Sequence, residues 1–295
     1  GNHVWSFFAT DIAPQSRALV EPLIAARWDE GYDVHFPAHS RRLNAAYRSI
    51  TSETLDAHVR AALPEGALLT NASVAEVRSD GFTLADGRTF AAGAVIDARG
   101  AASLPHMAGG WQVFLGQMLT LRAPHGLPRP VVMDARVKQL GGYRFVYCLP
   151  FSENEVFVED TYYADSPALD PAALRGRIAD YAAAQGWQVA EVSREETGIL
   201  PVIAKGDFPA FWQATDGAAA RAGTRAALVH PLTSYSLPDA VRFAQIVAAL
   251  PDLSGAALAK WSYEYAAAHW RQGRFYRMLT QMLFSAAEPD QRFRV

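Results

Sequence analysis

Four β-rich segments follow one another between residues 111 and 163: "WQVFLGQMLTLR", "RPVVMDARV", "GYRFVYCLP" and "EVFVEDTYY", separated by Gly, Pro and Asn turn residues. This succession predicts an antiparallel sheet. The last segment places Glu159 beside Asp160 at the end of an apolar run. A buried, unpaired carboxylate shifts its pKa or finds a partner. Strand alternation puts Val156, Val158 and Asp160 on one face, and Glu155, Phe157, Glu159 and Thr161 on the other. Unless the strand bulges or ends between them, the two acids are separate groups, one facing the interior while the other is anchored or solvated. A strand-end Asp-Thr turn with Glu159 exposed is the competing reading.

Around this sheet the pattern is mixed. Residues 15–28 predict a short helix made irregular by Pro22, and 55–63 predict a helix that ends before Pro64. "SVAEVRSDGFTLADGRTF" reads as strand, turn, strand, turn, strand, with Asp-Gly turn signals. "AGAVIDARG" (92–100) reads as a continuous apolar strand ending in Gly100, of the kind that returns to a buried parallel sheet. "DPAALRGRIADYAAAQGW" predicts a helix capped by Asp170, with Pro171 in its first turn and Gly186 near its stop. "VAEVSREETGILPV" supplies a further strand, residues 225–250 a strand, a loop and a helix, and residues 255–287 are largely helical. The fold class is α/β with α+β character.

The helix expected at 237–250 has Ser236 as candidate cap, Pro238 in its first turn and Asp239 in a capping-box position. Its N-terminus suits an anion such as a phosphate or the N1–O2 edge of a reduced flavin. Gly100 permits close backbone approach beneath a cofactor, yet no G-x-G-x-x-G follows a first strand. If a dinucleotide binds, its first binding turn lies ahead of Gly1. The chain starts without Met in what reads as the middle of a fold, so it is taken as a fragment. The eight histidines show no metal-ligand spacing, and no metal is expected. A formal net charge of −3 argues against nucleic acid as a partner. The single cysteine, Cys148, fits a reducing compartment and a small buried apolar role. No apolar run is long enough to span a bilayer.

"HVWSFFATDI", "YDVHFPAHSRRLNAAYRSITSETL", "VIDARG", "YRFVYCLP", "VFVEDTYYAD" and "HPLTSYSLPDAVR" together resemble the bacterial flavoprotein lycopene β-cyclases of carotenoid synthesis, in order over essentially the whole chain. The resemblance implies a two-domain fold similar to aromatic hydroxylases and geranylgeranyl reductases: an incomplete FAD/NAD(P)-binding Rossmann-like domain with an antiparallel-sheet substrate domain. It further implies FAD in its reduced form without net redox change, NAD(P)H as reductant, and additional chain beyond Val295. The division expected is 1–100 for part of the FAD domain, 101–224 for the substrate sheet, 225–250 for a return to the FAD domain and 251–295 for a C-terminal helical region.

The family's acidic motif falls on Glu159 and Asp160, and its His-Pro-x-Thr-Gly-Tyr-Ser segment on His230 to Ser236, with Ser234 replacing the glycine and Phe8 the usual histidine after "WSF". Cyclising a polyene end requires a neutral acid and negative potential without a nucleophile. The roles implied are Glu159 as acid/base group, Asp160 as orienting residue and His230 as support on the flavin side. Gly100, Pro231, Thr233, Ser234, Tyr235, Ser236 and Leu237 would contact the cofactor. Tyr143, Phe145, Tyr147 and Phe157 are candidate walls of a substrate tunnel, or plain core. Because lycopene is insoluble, residues 261–284, which mix Trp, Phe and Met with Arg, are expected to touch the cytoplasmic membrane peripherally. The competing functions are a redox flavoenzyme of the same fold, monooxygenase or isoprenoid reductase, and a non-catalytic carotenoid- or lipid-binding module.

Overall fold

A computed structural model describes residues 3–100, 104–214 and 218–295. In chain order the N-terminal elements are β1 (Val4–Phe8), α1 (Arg17–Val20), β2 (Ile24–Trp28), β3 (Tyr32–Phe36), β4 (His39–Leu43), β5 (Tyr47–Thr51) and α2 (Ser52–Ala62). There follow β6 (Val74–Arg78), β7 (Gly81–Leu84), β8 (Thr89–Ala91), β9 (Ile96–Asp97), β10 (Met107–Leu121), β11 (Val131–Asp134), β12 (Tyr143–Pro150) and β13 (Glu155–Ala164). The remainder comprises α3 (Pro171–Ala184), β14 (Val189–Gly206), α4 (Phe208–Ala214), β15 (Ala220–Arg221), α5 (Leu237–Ala248), α6 (Gly255–Gln272) and α7 (Arg274–Ser285). The chain forms two compact units: residues 1–58, 109–202 and 281–295, and residues 59–108 and 203–280.

The first unit is built on a seven-stranded sheet, ordered β14-β10-β13-β12-β11-β3-β4. The four segments read from sequence are its β10 to β13, and β10, β13 and β12 pair antiparallel in continuous register. Because side chains alternate, the sheet has two distinct faces. On one, Leu115, Leu119, Val146, Cys148, Val156, Val158 and Tyr162 pack with Leu174, Ile178, Tyr181 and Ala182 of α3. That helix starts as its sequence dictates, with the Asp170 side chain accepting the Ala173 amide. Each large apolar side chain so buried contributes on the order of 1.5–3 kcal/mol. The opposite face carries Met118, Leu149 and Phe157, which pack with Tyr47 and with Val4, Phe8 and Trp28. Those residues belong to a second, three-stranded sheet ordered β1-β5-β2.

The second unit holds the β6-β7-β8 meander, with the turns expected at its Asp-Gly pairs, and the parallel pair β9-β15. Its core gathers Phe208, Phe211, Phe243, Ala266 and the run Ala226–Val229.

Several expectations are corrected. Within 15–28 only Arg17–Val20 is α-helical, and Ile24–Trp28 is a strand paired with β5. Of 92–100 only Ile96 and Asp97 are strand. No strand forms at 225–230, where a 3-10 turn over Gly223–Ala226 leads to Ala227 at φ 54°. By compactness, residues 1–58 group with 109–202, and 203–280 with 59–108. The boundary expected at 100/101 abuts residues 101–103, which lie outside the described residues.

Candidate active site

β13 separates its two acids as alternation requires. Asp160 is wholly buried on the α3 face, where Arg144 Nε donates to Oδ1 (2.7 Å), Nη2 donates to Oδ2 (3.2 Å) and the Tyr162 hydroxyl donates to Oδ2 (3.2 Å). A carboxylate enclosed this way is a structural anchor. Asp160 is thereby turned away from the face that Glu159 occupies.

Glu159 faces the opposite way, half-buried, opposite Gly116 on β10 and Tyr147 on β12. The Thr161 hydroxyl, two residues along the same face, donates to its Oε1 at 2.6 Å. Burial pushes its carboxyl up to about 7, opposed by the Thr161 hydrogen bond and reinforced by the neighbouring Asp160 charge. Near neutral pH a large fraction of Glu159 is thus a neutral acid. The Thr161 hydroxyl thus engages Oε1.

The candidate tunnel residues share this face. Tyr143, Phe145, Tyr147 and Phe157 all have the parity of Glu159. Phe145 lies 5.1 Å from Tyr143 and 5.3 Å from Tyr147 by ring centroids, and Tyr143 stacks on Tyr163 at 5.7 Å. Phe145 and Phe157 are fully buried and so are core as well as wall. Burial raises the Tyr147 hydroxyl well above its ordinary range, leaving it neutral.

One group escaped the sequence reading. Glu196 on β14 is only 5% exposed, and its Oε2 accepts the Val4 amide at 2.8 Å. Burial, then the Glu159 charge, push it up to about 8. The signal was available: "REETG" repeats the pattern of two adjacent acids within a strand, and Glu195 turns the other way to bind Arg175 of α3.

In the second unit the loop from His230 to Leu237 leads into α5. The Tyr235 carbonyl accepts the His230 amide (2.9 Å), and the His230 carbonyl accepts the Ser234 amide (2.8 Å). Ser234 is buried at φ 57°, the left-handed conformation that glycine adopts at no cost. Burial lowers the His230 pKa, keeping the ring neutral; it lies against Tyr276 (4.4 Å) with Nδ1 beside Thr233 Oγ1 (3.2 Å). The Pro231 carbonyl is held by the Thr280 hydroxyl at 3.1 Å. Ser236 occupies the N-cap but makes no side-chain capping bond, contrary to the expected cap, and Asp239 turns to Arg242 at 2.5 Å. The first intrahelical bond runs from the Ala240 amide to the Ser236 carbonyl. The amides of Leu237 and Asp239 therefore project from a helix start whose nearest acid is already paired.

Gly100 stands at φ 79° with its carbonyl 3.4 Å from Arg225 Nη1. Arg225 also lines a cavity of about 430 Å3 with Asp97, Arg99 and Arg221. Among the described residues no cluster of His, Cys, Asp and Glu is suited to a metal ion.

The chain matches the family model described as "Lycopene cyclase protein" over residues 1–295. It is 46% identical over 295 residues to the lycopene beta-cyclase of Pseudescherichia vulneris, covering all of this chain and 76% of that protein. Among solved structures it resembles a geranylgeranyl bacteriochlorophyll reductase-like protein of Thermoplasma acidophilum, with a TM-score of 0.57 at 12% identity, over 98% of this chain and 79% of that one. It also resembles Klebsiella pneumoniae HpxO, solved in complex with FAD, with a TM-score of 0.50 at 12% identity, over 98% and 80% of the two chains. These structural likenesses bear out the expected fold, and the sequence match settles the lineage: the chain belongs to the lycopene cyclase family.

Proposed function

We propose that the protein is a lycopene β-cyclase, an intramolecular lyase that closes the acyclic ends of lycopene into β-rings without net redox change. The observation that carries this reading is Glu159, a carboxylic acid raised to about 7 on an aromatic sheet face. Protonating an electron-rich alkene needs such an acid, and the reading accounts for its surroundings. Glu159 Oε2 delivers a proton to the terminal double bond, giving a tertiary cation. The neighbouring double bond attacks that cation, and loss of a ring proton forms the new alkene. Phe145, Tyr147 and Phe157 present π-faces that stabilise positive charge without trapping it, and their packing excludes the water that would. Asp160 and Arg144 hold β13 from behind.

The loop His230–Leu237, the start of α5 and Gly100 are the residues that would hold FAD. They fit such a group: two projecting amides, a paired Asp239, a neutral His230 and a left-handed backbone at Ser234. When bound in reduced form, with NAD(P)H as reductant, such a flavin would supply negative potential. Peripheral contact with a bilayer is supported by α7, which exposes Phe275, Met278 and Met282 along one face beside exposed Arg271 and Arg274. No helix among the described residues is long and apolar enough to cross a membrane.

The test is anaerobic incubation of the full-length protein with lycopene, FAD and NAD(P)H. A product of unchanged mass bearing β-rings is expected. A mass gain of oxygen or hydrogen would assign a redox flavoenzyme, and binding without conversion a carotenoid-binding module; either would overturn the reading.

A further inference from the structure

Cyclisation adds one proton to carbon and removes another from a different carbon, so a donor alone does not complete it. We propose that Glu196 is the acceptor, the second carboxyl group of the cyclisation site; the inference rests on the cyclase reading above. β14 lies next to β10 in the sheet, and two contacts fix their relative register. Gln117 donates to Glu195 Oε2 at 2.8 Å, and the Phe114 ring covers Gly198, where a Cβ would collide with it. Residues 117 with 195 and 114 with 198 define an antiparallel pairing that sets Glu196 opposite Gly116. Gly116 is in turn opposite Glu159. The two glutamates therefore occupy one rung of the sheet, two strands apart at about 10 Å between backbones, and share a face.

The residue between them has no side chain. A Cβ on Gly116 would meet the Phe157 ring, so that ring lies over the gap. An aromatic floor bounded by two carboxyls is the arrangement a cationic ring closure needs. One group donates, the other accepts, and the Phe157 ring, whose Cζ end lies over Gly116, sits between them.

The two carboxyls differ in what holds them. Glu159 has a hydroxyl on Oε1. Glu196 has the Val4 amide and the Arg194 guanidinium at 3.9 Å, a donor and a cation that favour its charged form against the burial and the Glu159 charge that push it up to about 8; the Glu159 charge is absent while Glu159 keeps its proton, and the starting state proposed has Glu159 protonated and Glu196 ionised. Arg194 is shared with Glu53, the His3 carbonyl and the Ser52 hydroxyl, so it does not neutralise Glu196 by itself. In the step proposed, Glu159 gives its proton to the alkene carbon and becomes a carboxylate. Glu196 takes a proton from the ring carbon and becomes neutral, the C–H electron pair becoming the π-bond of the ring. Release of one proton from Glu196 to solvent and uptake of one from solvent by Glu159 resets the pair, and no oxidant or reductant is consumed. Each adjacent-acid pair, Glu159–Asp160 and Glu195–Glu196, thus sends one member to an arginine on the α3 face and the other to the reaction face.

The experiment compares full-length wild type, Glu196→Gln and Glu196→Asp with lycopene, FAD and NAD(P)H under anaerobic conditions, with rings identified by mass and NMR. Glu196→Gln is expected to lower kcat by about 100-fold or more with KM within about twofold. Its residual product should divert to rings that lost a different proton, or that captured water. Glu196→Asp, which keeps the charge on a shorter arm, is expected to regain part of kcat and the β-ring pattern. Glu196→Gln turning over within about threefold of wild type, with only β-rings, would overturn the proposal. So would a loss confined to KM, which marks a structural role. If Glu196→Gln does not fold, Glu196→Asp decides: slowed kcat at unchanged KM supports the acceptor role and wild-type kcat overturns it. Absence of β-rings from wild type itself would instead strike the cyclase reading on which the proposal rests.

Discussion

Replacing Glu159 with Gln should remove activity and add stability, a combination that follows from its position. The carboxyl has an ordinary value of 4.5 and stands at about 7 in the fold. The folded state thus holds a proton that the unfolded chain releases. As pH rises from about 4.5 to 7, folding is progressively penalised, and above 7 the full penalty applies. A shift of this size corresponds to about 3 kcal/mol at pH 8.5 and about 1 kcal/mol at pH 5. Gln cannot ionise, and its carbonyl still accepts the Thr161 hydroxyl, so the variant should gain those amounts. Urea denaturation of the full-length protein at the two pH values measures the difference, with a Tm rise at pH 8.5 of about 6–12 °C as a second readout. Turnover should fall by about 100-fold or more. Equal stability of the two proteins at pH 8.5, or a gain independent of pH, would refute the claim that Glu159 is held neutral by burial.

Asp160→Asn should destabilise by about 3–5 kcal/mol in urea titrations, because it leaves the buried Arg144 guanidinium without its counter-charge. Gly116→Ala should cost about 1–3 kcal/mol by forcing the Phe157 ring aside, with loss of β-ring formation measured in the same preparation. Met278→Glu together with Phe275→Glu should reduce co-sedimentation with anionic phospholipid vesicles while leaving the melting temperature within about 1 °C, since both side chains are exposed.

The sequence showed most where side-chain period and burial coincide. β10 to β13 alternate between two covered faces, so their pattern declared both the sheet and the opposite aims of Glu159 and Asp160. Helix α3 was legible from Asp170, Pro171 and Gly186 because its cap forms as those residues direct. Elsewhere local pattern lost to tertiary context. Ile24–Trp28 carries apolar residues at either period, and pairing with β5 decided it as a strand. The apolar run 92–100 finds strand partners only at Ile96 and Asp97. Ser236 sits where a cap belongs yet makes no capping bond. Ser234 was legible as a substitution for glycine, and its φ of 57° shows the backbone keeping the turn despite it. Glu196 was hidden because its meaning depends on register across β10, a relation between residues about eighty positions apart that no local motif encodes.

If a carboxylic acid of this chain starts ring closure by protonating carbon, turnover in deuterated water records the step. Full-length protein with lycopene, FAD and NAD(P)H, without oxygen, should yield β-ring product carrying one solvent deuterium for each ring formed and no other change in mass. Product that forms with no deuterium, or with added oxygen or two added hydrogens, would rule out ring closure by protonation of carbon.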